Sequence, residues 1–137
     1  MQKRRLGWWL MIISCGPWLI PACTDTRNPV GTQQWIRTEL YFGLSKSGGV
    51  VTEAEWQDFL DREITPNFPD GLTLADVHGQ WKNSAGTIVK EKTKMVIILH
   101  PNRPRADEAI ERIRKAYRQR FGQESVLMAQ WSAEASF

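Results

Sequence analysis

The stretch that decides the fold is residues 35–42, which read WIRTELYF. Apolar and polar side chains alternate along it, and this period of two is typical of a β-strand with one buried side. The pattern predicts that two sets of side chains lie on opposite faces: Ile36, Thr38, Leu40 and Phe42 on one, and Arg37, Glu39 and Tyr41 on the other.

Two helices are predicted further along the chain. The first begins at Thr52, because Thr52 and Glu55 have the spacing of a capping box, and it ends before Pro66. The second covers residues 105–120, and Gly122 follows its end. Its apolar side chains recur at helical spacing and form one stripe: Ala106, Ala109, Ile110, Ile113, Tyr117 and Phe121.

Four further strand segments complete the pattern. Residues 94–100 are the most hydrophobic of them and are expected to be central. The order is β-α-β-β-α-β, which predicts the α+β class and a ferredoxin-like sandwich, with one antiparallel sheet and two helices on one face. The other face of the sheet would be open. The segments are residues 72–81, 87–91, 94–100 and 125–131, with a hairpin turn at 83–86.

Several longer motifs follow one another in this part of the chain. They are WIRTELYFGL (35–44), GVVTEAEW (49–56), FPDGLT (68–73), GQW (79–81), LHP (99–101) and YRQRFGQESVL (117–127). Together they resemble the bacterial family catalogued as domain of unknown function 3574, over most of residues 35–137. The resemblance implies a small exported protein that is often lipoprotein-like. It implies no activity, no ligand and no catalytic residue.

The first 23 residues are typical of a bacterial lipoprotein signal. A basic start and an apolar run over residues 6–20 lead to Ile20-Pro21-Ala22-Cys23, which is similar to a lipobox. We expect Cys23 to carry a diacylglyceryl group, with acylation such as palmitate at the new N-terminus, so that lipid anchors the protein to a membrane of the cell envelope. In a Gram-negative cell this would be the outer membrane, facing the periplasm. Residues 24–34 would be a flexible tether, and residues 35–137 a single domain.

Three other interpretations of the N-terminus stay open. The first is an ordinary secretory signal, although no A-x-A-like site precedes a good cleavage point. The second is an uncleaved anchor, although the apolar run is shorter than the roughly 20 residues of a spanning helix and Gly16, Pro17 and Pro21 interrupt it. The third is acylation at Cys15.

Removing the signal changes the charge and cysteine content. The chain has 18 Lys and Arg against 15 Asp and Glu, and losing Lys3, Arg4 and Arg5 leaves 15 against 15. A nearly neutral domain argues against nucleic acid as a partner. Cys15 and Cys23 are the only cysteines, so the domain itself has neither a disulfide nor a thiolate metal site.

Arg37, Glu39 and Tyr41 are the first candidate ligand-binding residues. They alternate along the first strand and would stand in a row on the open face. An arginine beside a carboxylate and a phenol could hold a small polar ligand of unknown identity. The other interpretation is an Arg–Glu pair on a solvated sheet face, with the tyrosine packed beside it.

His78 and His100 are the remaining candidates. Each could act as a general base or a pH-sensitive group, or could simply be hydrogen-bonded at a strand end. Together with Glu91 or Asp76 they could hold a metal, but their spacing matches no ligand motif. We therefore expect no metal and no cofactor, and no catalytic residue is identified.

The central strand is apolar on both sides. Met95, Ile97 and Leu99 alternate with Val96 and Ile98, so one set would lie under the helices and the other on the open face. Such an apolar face needs a cover. A second copy of the domain, a small apolar ligand and the C-terminal residues 132–137 are the three candidates.

The sequence leaves open whether the protein is an enzyme, and it favours a non-catalytic role. The main hypothesis is an envelope lipoprotein whose domain binds a partner or itself, as a homodimer through the sheet face. The alternative is a small-ligand-binding protein or small enzyme that uses the open face. A third hypothesis is a membrane-surface module in which the basic second helix contacts anionic lipid.

Overall fold

The computed structural model describes residues 33–135. The predicted signal with its Cys23, nearly all of the predicted tether and the C-terminal Phe137 lie outside the described residues. Within the described part, no helix is both long enough and apolar enough to cross a membrane.

Among the described residues, the four long strands and two helices follow the predicted order, and two short strands that the sequence did not predict lie between the first long strand and the first helix. They are β1 (Gln33–Gly43), β2 (Ser45–Lys46), β3 (Gly49–Val50), α1 (Glu53–Phe59), β4 (Thr73–Lys82), β5 (Ile88–His100), α2 (Pro104–Phe121) and β6 (Leu127–Ala135). A π-helical turn (Leu60–Ile64) and a 3-10 turn (Thr65–Asn67) continue α1. The short strands β2 and β3 form a small hairpin of their own.

The four long strands form one antiparallel sheet in the order β4-β5-β1-β6. Both helices pack on the same face of that sheet, where their apolar side chains join those of β1 and β5 in one core. The α+β class and the ferredoxin-like arrangement are therefore confirmed. The strand 94–100 is central as predicted, because it lies within β5, which is paired on both sides.

Two strand boundaries differ from the sequence-based expectation. Residues 87–91 and 94–100 belong to a single strand, because β5 continues unbroken in its pairing with β4. The last strand extends to Ala135, since residues 133–135 pair with the start of β1. Residues 132–135 therefore do not fold back over the open face, and this candidate cover is wrong for the described residues.

The start of α1 has the predicted capping box. The Thr52 hydroxyl accepts a hydrogen bond from the Glu55 amide at 3.3 Å, and the Thr52 amide donates to the Glu55 carboxylate at 2.8 Å. Lys46 on β2 adds an ion pair to the same carboxylate at 2.6 Å. These contacts satisfy amides that the helix itself leaves without partners, and they tie the small hairpin to α1.

An aromatic cluster fills the space between the helices and the sheet. Phe42 of β1 contacts Trp56 and Tyr117, with ring centroids 5.3 and 4.8 Å away. Phe59 and Phe121 extend the cluster along both helices. The Tyr117 hydroxyl donates to the Gly43 carbonyl at 2.8 Å, and burial raises the pKa of this phenol. Close packing of large rings fixes the helices against one face of the sheet.

Candidate functional site

The face of the sheet opposite the helices is the candidate site. Leu40, Val96 and Ile98 lie in the core, so strand alternation places the next residues on the opposite side. We call that side the open face. It carries Trp35, Arg37, Glu39 and Tyr41 from β1, with Glu91, Thr93, Met95, Ile97 and Leu99 from β5, Ala75, Val77, Gly79 and Trp81 from β4, and Leu127, Ala129, Trp131 and Ala133 from β6.

The structure brings Arg37, Glu39 and Tyr41 together in a hydrogen-bonded row on this face. Glu39 accepts from the Tyr41 hydroxyl at 2.6 Å and from the Arg37 guanidinium at 2.8 Å. The bond from Tyr41, followed by that from Arg37, holds the pKa of the Glu39 carboxyl below its ordinary value. The same bond to Glu39 raises the pKa of Tyr41. Arg37 also lies over the Trp131 ring, 5.5 Å from its centroid.

His100 lies on the other face, under the helices, and does not belong to the open face. It is only 4 % exposed. Its Nε2 is 2.8 Å from the Thr38 hydroxyl, and its Nδ1 is 3.0 Å from the Pro101 carbonyl oxygen. The register of β5 with β1 pairs His100 with Ile36. Because Ile36 is on the helix side of the sheet, His100 is on that side too.

His78 is exposed on the edge strand β4, also on the helix side of the sheet. It pairs with Lys92, which is eight residues from His100 along β5, so the two histidines are about 26 Å apart. They do not form a joint site. Within residues 33–135, no three histidine, aspartate, glutamate or cysteine side chains are grouped closely enough to hold a metal ion.

The open face also holds a fixed carboxylate, Glu91, that sequence reasoning considered only as a metal ligand. One oxygen accepts from the Trp81 indole at 2.9 Å, and the other accepts from the Ser45 amide at 3.0 Å. A Cβ at Gly43 would lie 2.5 Å from the carboxylate, so a larger residue there would displace the Glu91 side chain from this position. A glycine at the end of an alternating strand is the sequence signal that points to such a close approach.

A depression of about 600 Å³ opens beside Glu91 on the open face and reaches the edge strand β4, where His78 and Gln80 also line it although their strand positions are on the helix side. This volume lies within the range of small-molecule sites. Its walls combine aromatic, aliphatic and polar groups: Tyr41, Gly43, Val77, His78, Gly79, Gln80, Trp81, Glu91, Thr93, Met95, Gln123, Ser125 and Leu127.

The rest of the open face is mainly apolar and uncovered. Leu127 is 62 % exposed and Trp131 is 45 % exposed, while Met95, Ile97 and Leu99 are half-buried by their neighbours in the sheet alone. Trp35, Trp81 and Trp131 all stand on this side and do not fill the core. Large exposed apolar side chains grouped on one face are typical of a binding surface.

The basic side of α2 is partly engaged within the domain. Arg114 donates to the Val126 carbonyl at 2.9 Å and pairs with Glu111, and Arg120 pairs with Asp58 at 2.7 Å. These contacts connect α2 to neighbouring parts of the domain. They give two of the basic side chains of α2 a role within the domain that needs no lipid partner.

Comparison with known proteins agrees with the fold. Residues 37–137 match the model of a family described as "Protein of unknown function (DUF3574)". A phage SAM lyase, solved in complex with S-methyl-5'-thioadenosine, is similar in structure, with 15 % identity, a TM-score of 0.59 and coverage of 75 % of this chain and 90 % of that one. CutA from Synechococcus elongatus is similar with 9 % identity, a TM-score of 0.50 and coverage of 78 % and 84 %. No curated protein matches the chain. At these identities the structural likenesses concern the fold alone.

Proposed function

The chain belongs to the family described as "Protein of unknown function (DUF3574)", and we propose that it is a lipid-anchored protein of the bacterial cell envelope whose domain is a non-catalytic binding module. Its binding surface is the open face of the sheet, and its first partner is a second copy of the chain. The observation that carries this proposal is the uncovered apolar surface formed by Ile97, Leu99, Leu127 and Trp131.

The charges of the open face favour a second copy as its cover. Among the described residues of the four strands, only three charged side chains stand on it, and two of these, Arg37 and Glu39, neutralise each other at 2.8 Å. Two copies placed face to face would therefore bring little like charge together. The four strands have 11, 10, 13 and 9 residues. A sheet of this size has a projected face of roughly 700 Å², which is near the ~800 Å² per partner of a standard interface.

The oligomeric state tests this proposal. Light scattering on the detergent-extracted protein should give a dimer, and Ile97→Arg should give a monomer because it places a bulky charged side chain in the apolar interface. Ile88→Arg is the matched control, since Ile88 is exposed on the other side of the sheet. It should remain a dimer. A monomeric wild type, or dissociation by both variants alike, would contradict the proposal.

The envelope location is supported by the sequence of residues 1–23 alone. The intact mass of the protein from its native membrane should show a diacyl or triacyl adduct on a chain that begins at Cys23. Cys23→Ala should remove the adduct, while Cys15→Ala should retain it. An unmodified chain that still carries Met1, or an adduct that persists in Cys23→Ala, would overturn anchoring at Cys23.

A second candidate function, binding or conversion of a small molecule, is favoured by the depression beside Glu91. The phage SAM lyase has a similar fold, but fold-level likeness gives no substrate. If the depression serves a ligand, Tyr41→Phe and Glu91→Gln should fail to complement a knockout, because both side chains line it. Full complementation by both variants would exclude a role for this depression.

A further inference from the structure

We infer that the free edge of β4 binds an extended acidic segment of a partner protein, which adds to the sheet as a further strand. The inference rests on the proposed role of the domain as a binding module. It goes beyond the proposed dimer, because this edge lies at the side of the sheet and not on the open face. It also names the class of partner, a segment in which acidic and apolar residues alternate.

The first step is the backbone of β4. Among the described residues, this strand of 10 residues pairs with β5 alone, so its other side is an edge of the sheet. In an antiparallel pair, every second residue points its amide and carbonyl groups away from the neighbouring strand. Asn83 donates to the Thr87 carbonyl at the hairpin turn, which fixes the alternation. The outward residues, all exposed, are Leu74, Asp76, His78, Gln80 and Lys82.

This edge is long and regular. It contains no proline, and its register with β5 runs without a bulge from Thr73 to Lys82. Proline and bulges are two common features that prevent the addition of a strand. Lysine side chains beside an edge discourage pairing with a copy of like charge, but they favour a segment of opposite charge.

The second step is the charge beside the edge. Lys82, Lys90 and Lys92 are exposed on the helix side of β4 and β5. None of the three forms an ion pair within the described part of the chain. Lys90 and Lys92 lie about 7 Å apart along β5, and Lys82 is on the neighbouring strand. The three lysines therefore form one compact basic patch with free charges.

The nearby carboxylates do not neutralise this patch. Asp76 and Glu53 both pair with a fourth lysine, Lys94, at 2.7 and 2.8 Å. Glu91 lies on the opposite face, where its carboxylate has hydrogen-bond donors of its own. The helix side of this region thus has four lysines against two carboxylates, a net charge of +2. An acidic segment offsets this charge, whereas a second copy of the chain would add to it.

The third step is the alternation of the partner segment. A strand added beside β4 places its side chains alternately on the two faces of the sheet. On the helix side they would lie beside His78 and Lys82, close to the basic patch. On the open side they would lie beside Val77 and Trp81, which are half-buried. Acidic residues suit the first side and apolar residues suit the second, while the backbone bonds supply affinity.

The test is fluorescence anisotropy with the full-length protein in maltoside and a rhodamine-labelled peptide in which glutamate and valine alternate. One matched peptide has lysine in place of glutamate. Another keeps the side chains but is N-methylated at every peptide bond, so it cannot donate to the edge. The acidic peptide should bind to saturation, the N-methylated peptide should bind about ten-fold more weakly or worse, and the lysine peptide should not bind.

Three results would overturn the inference. They are no binding of the acidic peptide, equal binding of the lysine peptide, and equal binding of the N-methylated peptide. The last would show that charge alone holds the peptide, as on an anionic lipid surface, and that no strand is added.

Two pairs of variants locate the site. His78→Pro removes an outward N–H from the middle of the edge and keeps the bonds to β5, so the affinity should fall about ten-fold or more. His78→Ala removes only the side chain and should change the affinity less than about three-fold. Lys90→Glu should also lower the affinity about ten-fold or more. Lys115→Glu, the same charge change at an exposed position of α2, should leave it unchanged.

Equal affinities within either pair of variants would contradict the assignment. The comparison of the three peptides uses the wild type, so it stands even if His78→Pro does not fold.

The Ile97→Arg variant separates this inference from the dimer. If the acidic peptide binds to the Ile97→Arg monomer as it does to the wild type, the edge is complete within one chain, as the strand order indicates. If the wild type is monomeric and still binds the peptide, the dimer is wrong and the edge site stands. Loss of peptide binding in Ile97→Arg would overturn a site contained in one chain.

Discussion

Tyr41 and Phe42 are neighbours in the chain and lie on opposite faces of the same sheet. Phe42 is fully buried against Trp56, Phe59 and Tyr117, whereas Tyr41 is half-buried and bonded to Glu39. The covered face consists of interlocking rings, and the open face consists of separate apolar side chains around one polar row. The difference indicates that the covered face provides stability and that the open face is available for binding.

The largest expected effect is the difference in stability between variants of these two neighbours, Phe42 and Tyr41. Phe42→Ala removes a ring from a filled core and should lower the free energy of unfolding by about 3–5 kcal/mol. Tyr41→Ala should cost about 1 kcal/mol, since it removes one hydrogen bond and part of a solvated side chain. Urea unfolding of the full-length protein, followed by tryptophan fluorescence, measures both. Equal losses would contradict the assignment of the core to one face.

The next largest effect is the difference in stability between variants of Thr38 and of Glu39. Thr38 is 0 % exposed, and its hydroxyl contacts both His100 and Gln130 at 2.8 Å. Thr38→Val leaves the buried imidazole without this partner and should cost about 1–3 kcal/mol. Glu39→Gln breaks a partly exposed ion pair and should cost less than about 1 kcal/mol. The same urea unfolding experiment measures both variants. A larger loss of unfolding free energy in Glu39→Gln than in Thr38→Val would contradict the expectation that the covered face contributes more to stability than the open face.

The smallest expected effect is a loss of stability at low pH that depends on Glu55. The hydrogen bond from Lys46, followed by those from Thr52, lowers the pKa of Glu55 to about 2. Because the folded-state pKa lies below the unfolded value, the stabilisation by this carboxylate is fully present above about pH 4.5. It is lost as the pH falls towards 2. Thermal unfolding of Glu55→Gln should therefore depend less on pH in this window than that of the wild type.

Glu63 offers the control for this measurement, because it forms no ion pair within the described residues. Glu63→Gln should leave the pH dependence of thermal unfolding near that of the wild type. An identical pH dependence in Glu55→Gln and the wild type would show that the capping carboxylate does not contribute.

Much of the covered face could be predicted from local sequence. Alternation placed Leu40 and Phe42 on one side of β1, the spacing of Thr52 and Glu55 marked the start of α1, and the family resemblance covered most of residues 35–137. These features depend on residues close together in the chain. Local spacing is sufficient because helix and strand periods are properties of the backbone.

The candidate site was only partly predictable. Arg37, Glu39 and Tyr41 belong to one strand, so their alternation was enough to place them in a row. His78 and His100 depended on strand register, and a shift of one residue moves a side chain to the other face. Their separation on the helix side could not be read from their positions in the sequence.

The sequence by itself determined the order of the elements, the two-sided apolar character of β5 and the signal-like start of the chain. Only the tertiary structure decided which set of β5 side chains the helices cover and where the Glu91 carboxylate lies. It brings Glu91 of β5 against Gly43 of β1, Ser45 of β2 and Trp81 of β4. Such a contact depends on pairing between distant strands, and that pairing is set by packing across the whole sheet.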